Sequence, residues 1–99
     1  MEIGKEIKGK ELLFSLQGRL DTTTSPNLEE ELKENLDGKE RLVFDMENLE
    51  YLSSAGLRIL LAAQKRMNKQ GSMALRNVSP LVMEIFEVTG FVDILTFEK

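Results

Sequence analysis

Residues 45 to 61 read Asp45-Met-Glu-Asn-Leu-Glu-Tyr-Leu-Ser53-Ser54-Ala-Gly56-Leu-Arg-Ile-Leu-Leu61. The stretch leaves an apolar strand, crosses a short loop and meets two serines at the mouth of an apolar helix. A serine oxygen can accept from a backbone N–H that has no intrahelical partner at a helix start, so Ser53 and Ser54 are both candidate caps. The same free N–H groups and the positive end of the helix dipole stabilise an anion, so a hydroxyl placed here is also suited to carry a phosphate. From the residues alone both uses stay open for either serine. Gly56 weighs toward a special use. Glycine in a first helical turn costs up to about 1 kcal/mol relative to alanine, which points to close approach to the backbone at this position.

Upstream, Arg41-Leu-Val-Phe-Asp-Met46 is a short apolar run of the kind that fills an interior strand buried on both faces. Asp45 is its anomaly, a carboxylate near the C-terminal end of the run. Such strand ends, facing a helix N-terminus, are where α/β folds place their sites. Downstream, Leu57, Ile59, Leu60, Leu61, Ala62, Ala63 and Met67 make a helix that needs cover, ending at Gly71. Ser72–Arg76 is a further strand. Ser79-Pro80 starts a third helix with Leu81, Val82, Ile85, Phe86 and Val88, up to Gly90, and Ile94–Phe97 fits a last short strand.

Toward the N-terminus, Ile3 and Ile7 precede a turn at Gly9-Lys10, and Leu12, Phe14 and Leu16 share one strand face. Gly18-Arg19-Leu20-Asp21 leads through Thr22 to Ser25-Pro26, a helix start followed by Glu29, Glu30 and Glu31 and an apolar stripe of Leu28, Leu32 and Leu36. The order β-β-α-β-α-β-α, with a terminal strand, predicts an α/β fold over residues 1–99: one domain with a mixed, largely parallel sheet of four to five strands and helices packed against it.

Composition narrows the function. The 99 residues carry 17 acidic and 13 basic side chains, net −4, with the cations scattered, which argues against nucleic acid as a partner. No apolar run approaches the roughly 20 residues of a membrane span, and the N-terminus lacks a signal-peptide core, so a cytoplasmic protein without a membrane partner is expected. There is no cysteine and no histidine. That removes disulfides, thiol nucleophiles, a Ser-His-Asp triad and the usual metal ligands, and no catalytic residue, metal or cofactor is expected. The glycines stand singly, without a phosphate-cradling cluster.

Gly18-Arg-Leu-Asp21, then Leu42-Val-Phe-Asp45-Met, then Leu49-Glu-Tyr-Leu-Ser-Ser54-Ala-Gly56-Leu57, and finally Ser79-Pro80 with Phe86-Glu-Val-Thr-Gly90-Phe91 resemble, in order, the bacterial anti-sigma factor antagonists of the STAS domain family. The resemblance implies a STAS-like fold and a monomeric, non-enzymatic regulator of transcription that works by partner switching. In it, the unphosphorylated form binds an anti-sigma factor with serine kinase activity and frees a sigma factor. Phosphorylation ends that binding, and a serine phosphatase would restore it. Ser54, two residues before Gly56, takes the place of the family's phosphoserine. Its rival Ser53 falls where many relatives carry aspartate. Asp21, Thr22, Asp45, Ser53, Ala55, Gly56 and Leu57 are the implied surroundings of the phosphosite and the partner-binding surface. Where the same fold serves instead as an adaptor in a stress-signalling or transport assembly, the serines are often kept, and sequence alone discriminates poorly.

Overall fold

A computed structural model describes residues 1–98. In chain order it contains strand β1 (Glu2–Lys8), strand β2 (Glu11–Leu20), helix α1 (Ser25–Asn35), strand β3 (Arg41–Leu52), helix α2 (Ser54–Gln70), strand β4 (Ser72–Arg76), helix α3 (Pro80–Thr89), a 3-10 turn (Phe91–Asp93) and strand β5 (Phe97–Glu98). One sheet holds all five strands in the order β1-β2-β3-β4-β5. β1 and β2 pair antiparallel around Gly9-Lys10, where Gly9 supplies the positive φ of +60° that a tight hairpin requires. The other three pairings are parallel. The α/β order expected from sequence is the one observed.

Each parallel step moves one place across the sheet in the same direction, so right-handed crossovers put α1, α2 and α3 on one face. The side-chain alternation agrees. Phe14, Leu42, Phe44, Met73 and Leu75 share a single core with Leu28 and Leu32 of α1, Leu60 and Met67 of α2, and Val82 and Phe86 of α3. Val43 and Ala74 point the other way and are nonetheless 0% and 2% exposed. A row of ion pairs lies on that face: Arg41 to Glu11 at 3.8 Å, Arg41 to Glu98 at 2.7 Å and Arg76 to Glu98 at 3.8 Å. The Arg41–Met46 part of β3 is thus buried or half-buried on both faces as expected, with helices on one side and long charged side chains on the other, whereas Glu47, Asn48, Glu50 and Tyr51 farther along are exposed.

Three local expectations change. β3 does not stop near Met46 but runs on to Leu52, with register shifts against β2 between Ser15 and Gln17 and between Gly18 and Arg19. α1 begins at Ser25 with no side-chain cap from Thr24; Ser25 is buried and donates its hydroxyl to the Asp21 carbonyl at 2.6 Å, and the glutamates start only in the second turn. The last strand is Phe97–Glu98 and not Ile94–Phe97, because Ile94 closes the 3-10 turn on the Phe91 carbonyl and Leu95 drops into the core. None of the described helices is long and apolar enough to cross a membrane.

Candidate functional site

The parallel pairing of β2 and β3 ends at Leu20 and Leu52, and the next N–H, that of Ser53, donates to the Leu20 carbonyl at 2.9 Å. Neighbouring strands lie about 4.8 Å apart, so the chain leaves the two strands side by side with Asp21 next to Ser53. This end of the sheet carries the N-terminus of α2.

The two serines divide the roles that sequence left shared. Ser53 has extended backbone (φ −95°, ψ 174°) and is the N-cap: its carbonyl accepts the Leu57 N–H at 2.9 Å, and its hydroxyl accepts the Gly56 N–H at 3.5 Å. It is half-buried. Ser54 is the first helical residue and is exposed, and its hydroxyl makes no hydrogen bond among the described residues. Ala55 is half-buried, whereas Gly56 and Leu57 turn into the interior.

Gly56 has a structural explanation. A Cβ built on it would stand 2.7 Å from Leu52 Cδ1 and 2.8 Å from Leu20 Cγ, distances that real Cβ contacts essentially never show. The close approach inferred from sequence is made by the protein's own core, where α2 rests on the ends of β2 and β3. Leu57, at 5% exposure, belongs to the same packing.

Asp21 organises the loop beside the serines. Its Oδ1 accepts from the Thr23 N–H at 3.0 Å, the Thr23 hydroxyl at 2.8 Å, the Thr24 N–H at 3.2 Å and the Thr24 hydroxyl at 3.2 Å. Donation from the Thr23 hydroxyl first, and then from the Thr24 and Thr23 N–H groups, outweighs desolvation and holds this carboxyl below the usual aspartate value. It is charged at neutral pH. Thr22 stands exposed at the tip of the same loop.

Asp45 does not join this group. It sits seven positions before the end of β3, paired in register with Ser15 and Arg76, and its Oδ1 accepts from the Glu47 N–H at 3.1 Å and from Asn77 Nδ2 at 3.2 Å. At about 3.3 Å per strand residue it lies roughly 20 Å from Ser54. The two aspartates therefore do not converge; the sequence placed Asp45 at a strand end only because the strand was read as ending at Met46.

Two surface features escaped the sequence reading. The Arg19 guanidinium lies 4.3 Å from the centre of the exposed Tyr51 ring and 3.7 Å from Asp21 Oδ2, beside the serine loop. Arg19 and Tyr51 become partners only through the second register shift, which a residue pattern does not reveal. Exposed Arg58 stands four residues after Ser54 on the same helical face, a spacing legible in sequence once the helix start is known. Among the described residues no group of three or more acidic or other ligating side chains could hold a metal. A shallow hollow of 490 Å³ along Glu2, Gly4, Ser15, Gln17 and Asn48 includes neither serine.

Comparison with known proteins agrees with this architecture. The model of the STAS domain family matches residues 2–99. BtrV of Bordetella bronchiseptica, named as a candidate anti-sigma factor antagonist, is 40% identical over 85 residues, covering 84% of this chain and 73% of that protein. The anti-sigma-B factor antagonist of Bacillus subtilis is 29% identical over 98 residues, covering 96% of this chain and 90% of that protein. The crystal structure of an anti-sigma factor antagonist from Mycobacterium paratuberculosis matches with a TM-score of 0.86 at 25% identity, over 97% of this chain and 83% of that one. With a family model matched over residues 2–99 and a relative 40% identical over 84% of this chain's length, the chain, with its mixed five-stranded sheet and three helices, belongs to the STAS domain family.

Proposed function

We propose that this protein is an anti-sigma factor antagonist, switched by phosphorylation of Ser54. The observation that carries the reading is the division of labour between the serines: Ser53 caps α2, which leaves the Ser54 hydroxyl exposed and unengaged at the helix N-terminus. The relatives named as anti-sigma factor antagonists support the class of partner. In the unmodified state the surface of Thr22, Ser53, Ser54 and Ala55, bordered by Asp21 with Arg19 beside it and by Arg58 one turn along α2, seats against an anti-sigma factor that is also a serine kinase.

Phosphorylation adds about −1.5 to −2 charge at Ser54. The first-turn N–H groups and the dipole of α2 stabilise that charge within the protein. In an interface that had enclosed the bare hydroxyl, the same charge lies beside ionised Asp21 and must be desolvated, which opposes association. Asp45, well beyond the ~8 Å screening length at physiological salt, adds little to this repulsion. The switch needs no chemistry by this chain itself; a serine phosphatase would reset it.

Phosphopeptide mapping after incubation with the partner kinase is expected to find the phosphate on Ser54. Titration calorimetry with the same partner is expected to show Ser54→Ala binding like the native protein and Ser54→Asp binding at least about tenfold more weakly, a loss of about 1.4 kcal/mol. A phosphate found only away from Ser53 and Ser54, or equal affinity of the two variants, overturns the reading.

A further inference from the structure

Helix α3 is apolar on two sides. Val82 and Phe86 are fully buried, whereas Leu81 and Val88 are 61% and 81% exposed, with half-buried Ile85 between them. Positions 81, 85 and 88 form one stripe at helical spacing. With Glu84 and Thr89 they line a groove of 350 Å³, and exposed Val92 and Ile94 follow just past the helix end. Single exposed aliphatics are ordinary on a protein surface, but a contiguous stripe on the solvent side of a helix marks an interaction surface.

Charge identifies the occupant. From Asn77 to Glu98 the chain carries Glu84, Glu87, Asp93 and Glu98 and no lysine or arginine. Glu98 is paired with Arg41 and Arg76, but Glu84, Glu87 and Asp93 enter no ion pair among the described residues. Glu87 also stands in the last turn of α3, where the negative end of the helix dipole disfavours a carboxylate and no basic residue offsets it. A second copy would set these carboxylates against each other across a self-complementary face, and an anionic membrane would repel them.

We propose that the outer face of α3 is a docking surface for a protein partner that presents an apolar ridge flanked by lysine or arginine, such as one face of a basic amphipathic helix. The surface lies on α3, whereas Ser54 lies on α2.

The test is a titration of ¹⁵N-labelled full-length protein with a synthetic amphipathic peptide of leucine and lysine, alongside its leucine and glutamate counterpart. Saturable shift changes centred on residues 81–92 are expected with the lysine peptide only. Leu81→Asn combined with Val88→Asn is expected to weaken binding about tenfold or more, because most of the apolar contact is removed. Glu84→Gln combined with Glu87→Gln is expected to weaken it and flatten its salt dependence. Both pairs are exposed: the glutamine pair should keep or slightly raise the urea midpoint, and the asparagine pair should lower stability by no more than about 1 kcal/mol through helix propensity. The proposal is overturned by shifts spread over the acidic surface regardless of these substitutions, by equal binding of the glutamate peptide, or by no saturable binding. Sedimentation showing a dimer that Leu81→Asn abolishes would assign the stripe to self-association and overturn it as well.

Discussion

Gly56 lets α2 begin directly above the last residues of β2 and β3, because Leu20 and Leu52 already fill the space a Cβ would take. Gly56→Ala gains about 1 kcal/mol in helix propensity and loses about 1–3 kcal/mol to overpacking, so a net destabilisation of up to about 2 kcal/mol is expected, read as a lower urea midpoint. Asp21 acts on the neighbouring loop. Its folded-state pKa is lowered, so its stabilising contribution is present above the unfolded value near 3.9 and is lost as pH falls through the lower folded value. The gap in urea midpoint between native protein and Asp21→Asn is therefore expected to be constant around neutrality and to close below about pH 4. The local sequence announced both residues as special. It did not say that the group approaching Gly56 is two leucines of the core, since that depends on a contact between Leu20 and Gly56 across 36 positions of chain.

Among the described residues, β5 pairs with β4 at two positions, Leu75 and Arg76, with a further bond from the Leu75 N–H to the Thr96 carbonyl at 2.8 Å. Side chains make up the difference. Phe97 meets Phe86 edge to face at 5.2 Å, and Glu98 receives the Arg41 guanidinium at 2.7 Å from two strands away. The ion pair is more than a third exposed and contributes little, of order 0–1 kcal/mol, whereas the contact of half-buried Phe97 with buried Phe86 carries more. Phe97→Ala is expected to cost about 2 kcal/mol, less than a fully buried phenylalanine, and to raise amide exchange at Leu75 before it does so in β3. Equal acceleration at Leu75 and Phe44 would show that β5 does not open separately. Helix boundaries were legible where a cap and a proline coincide, as at Ser79-Pro80, where Ser79 accepts the Val82 N–H at 3.2 Å. At Ser25-Pro26 the same signal also marked the helix start, but Ser25 is already helical and does not cap, because its hydroxyl donates to the loop carbonyl of Asp21.

For the molecule as a whole, the site and the core meet at one end of the sheet without sharing side chains: Ser54 is exposed while Gly56 and Leu57, its near neighbours, are buried. A charge at Ser54 should therefore alter the surface and leave the fold in place. Ser54→Asp is expected to keep the urea midpoint of the native protein or to raise stability by about 0.3–1 kcal/mol, since a carboxylate in the first turn is favoured by the helix dipole. A loss above about 1 kcal/mol would place the switch in folding and not in surface charge. By itself the sequence determined the element order, the hairpin, the parallel sheet and the serine pair at the start of α2, because hydrophobic period, turn residues and caps act over a few positions. Only the tertiary structure decided that all three helices share one face, that ion pairs line the face to which Val43 points, that β3 carries Asp45 roughly 20 Å from Ser54, and which serine caps the helix. Those features depend on strand register and crossover direction, which are set by contacts between residues far apart in the chain.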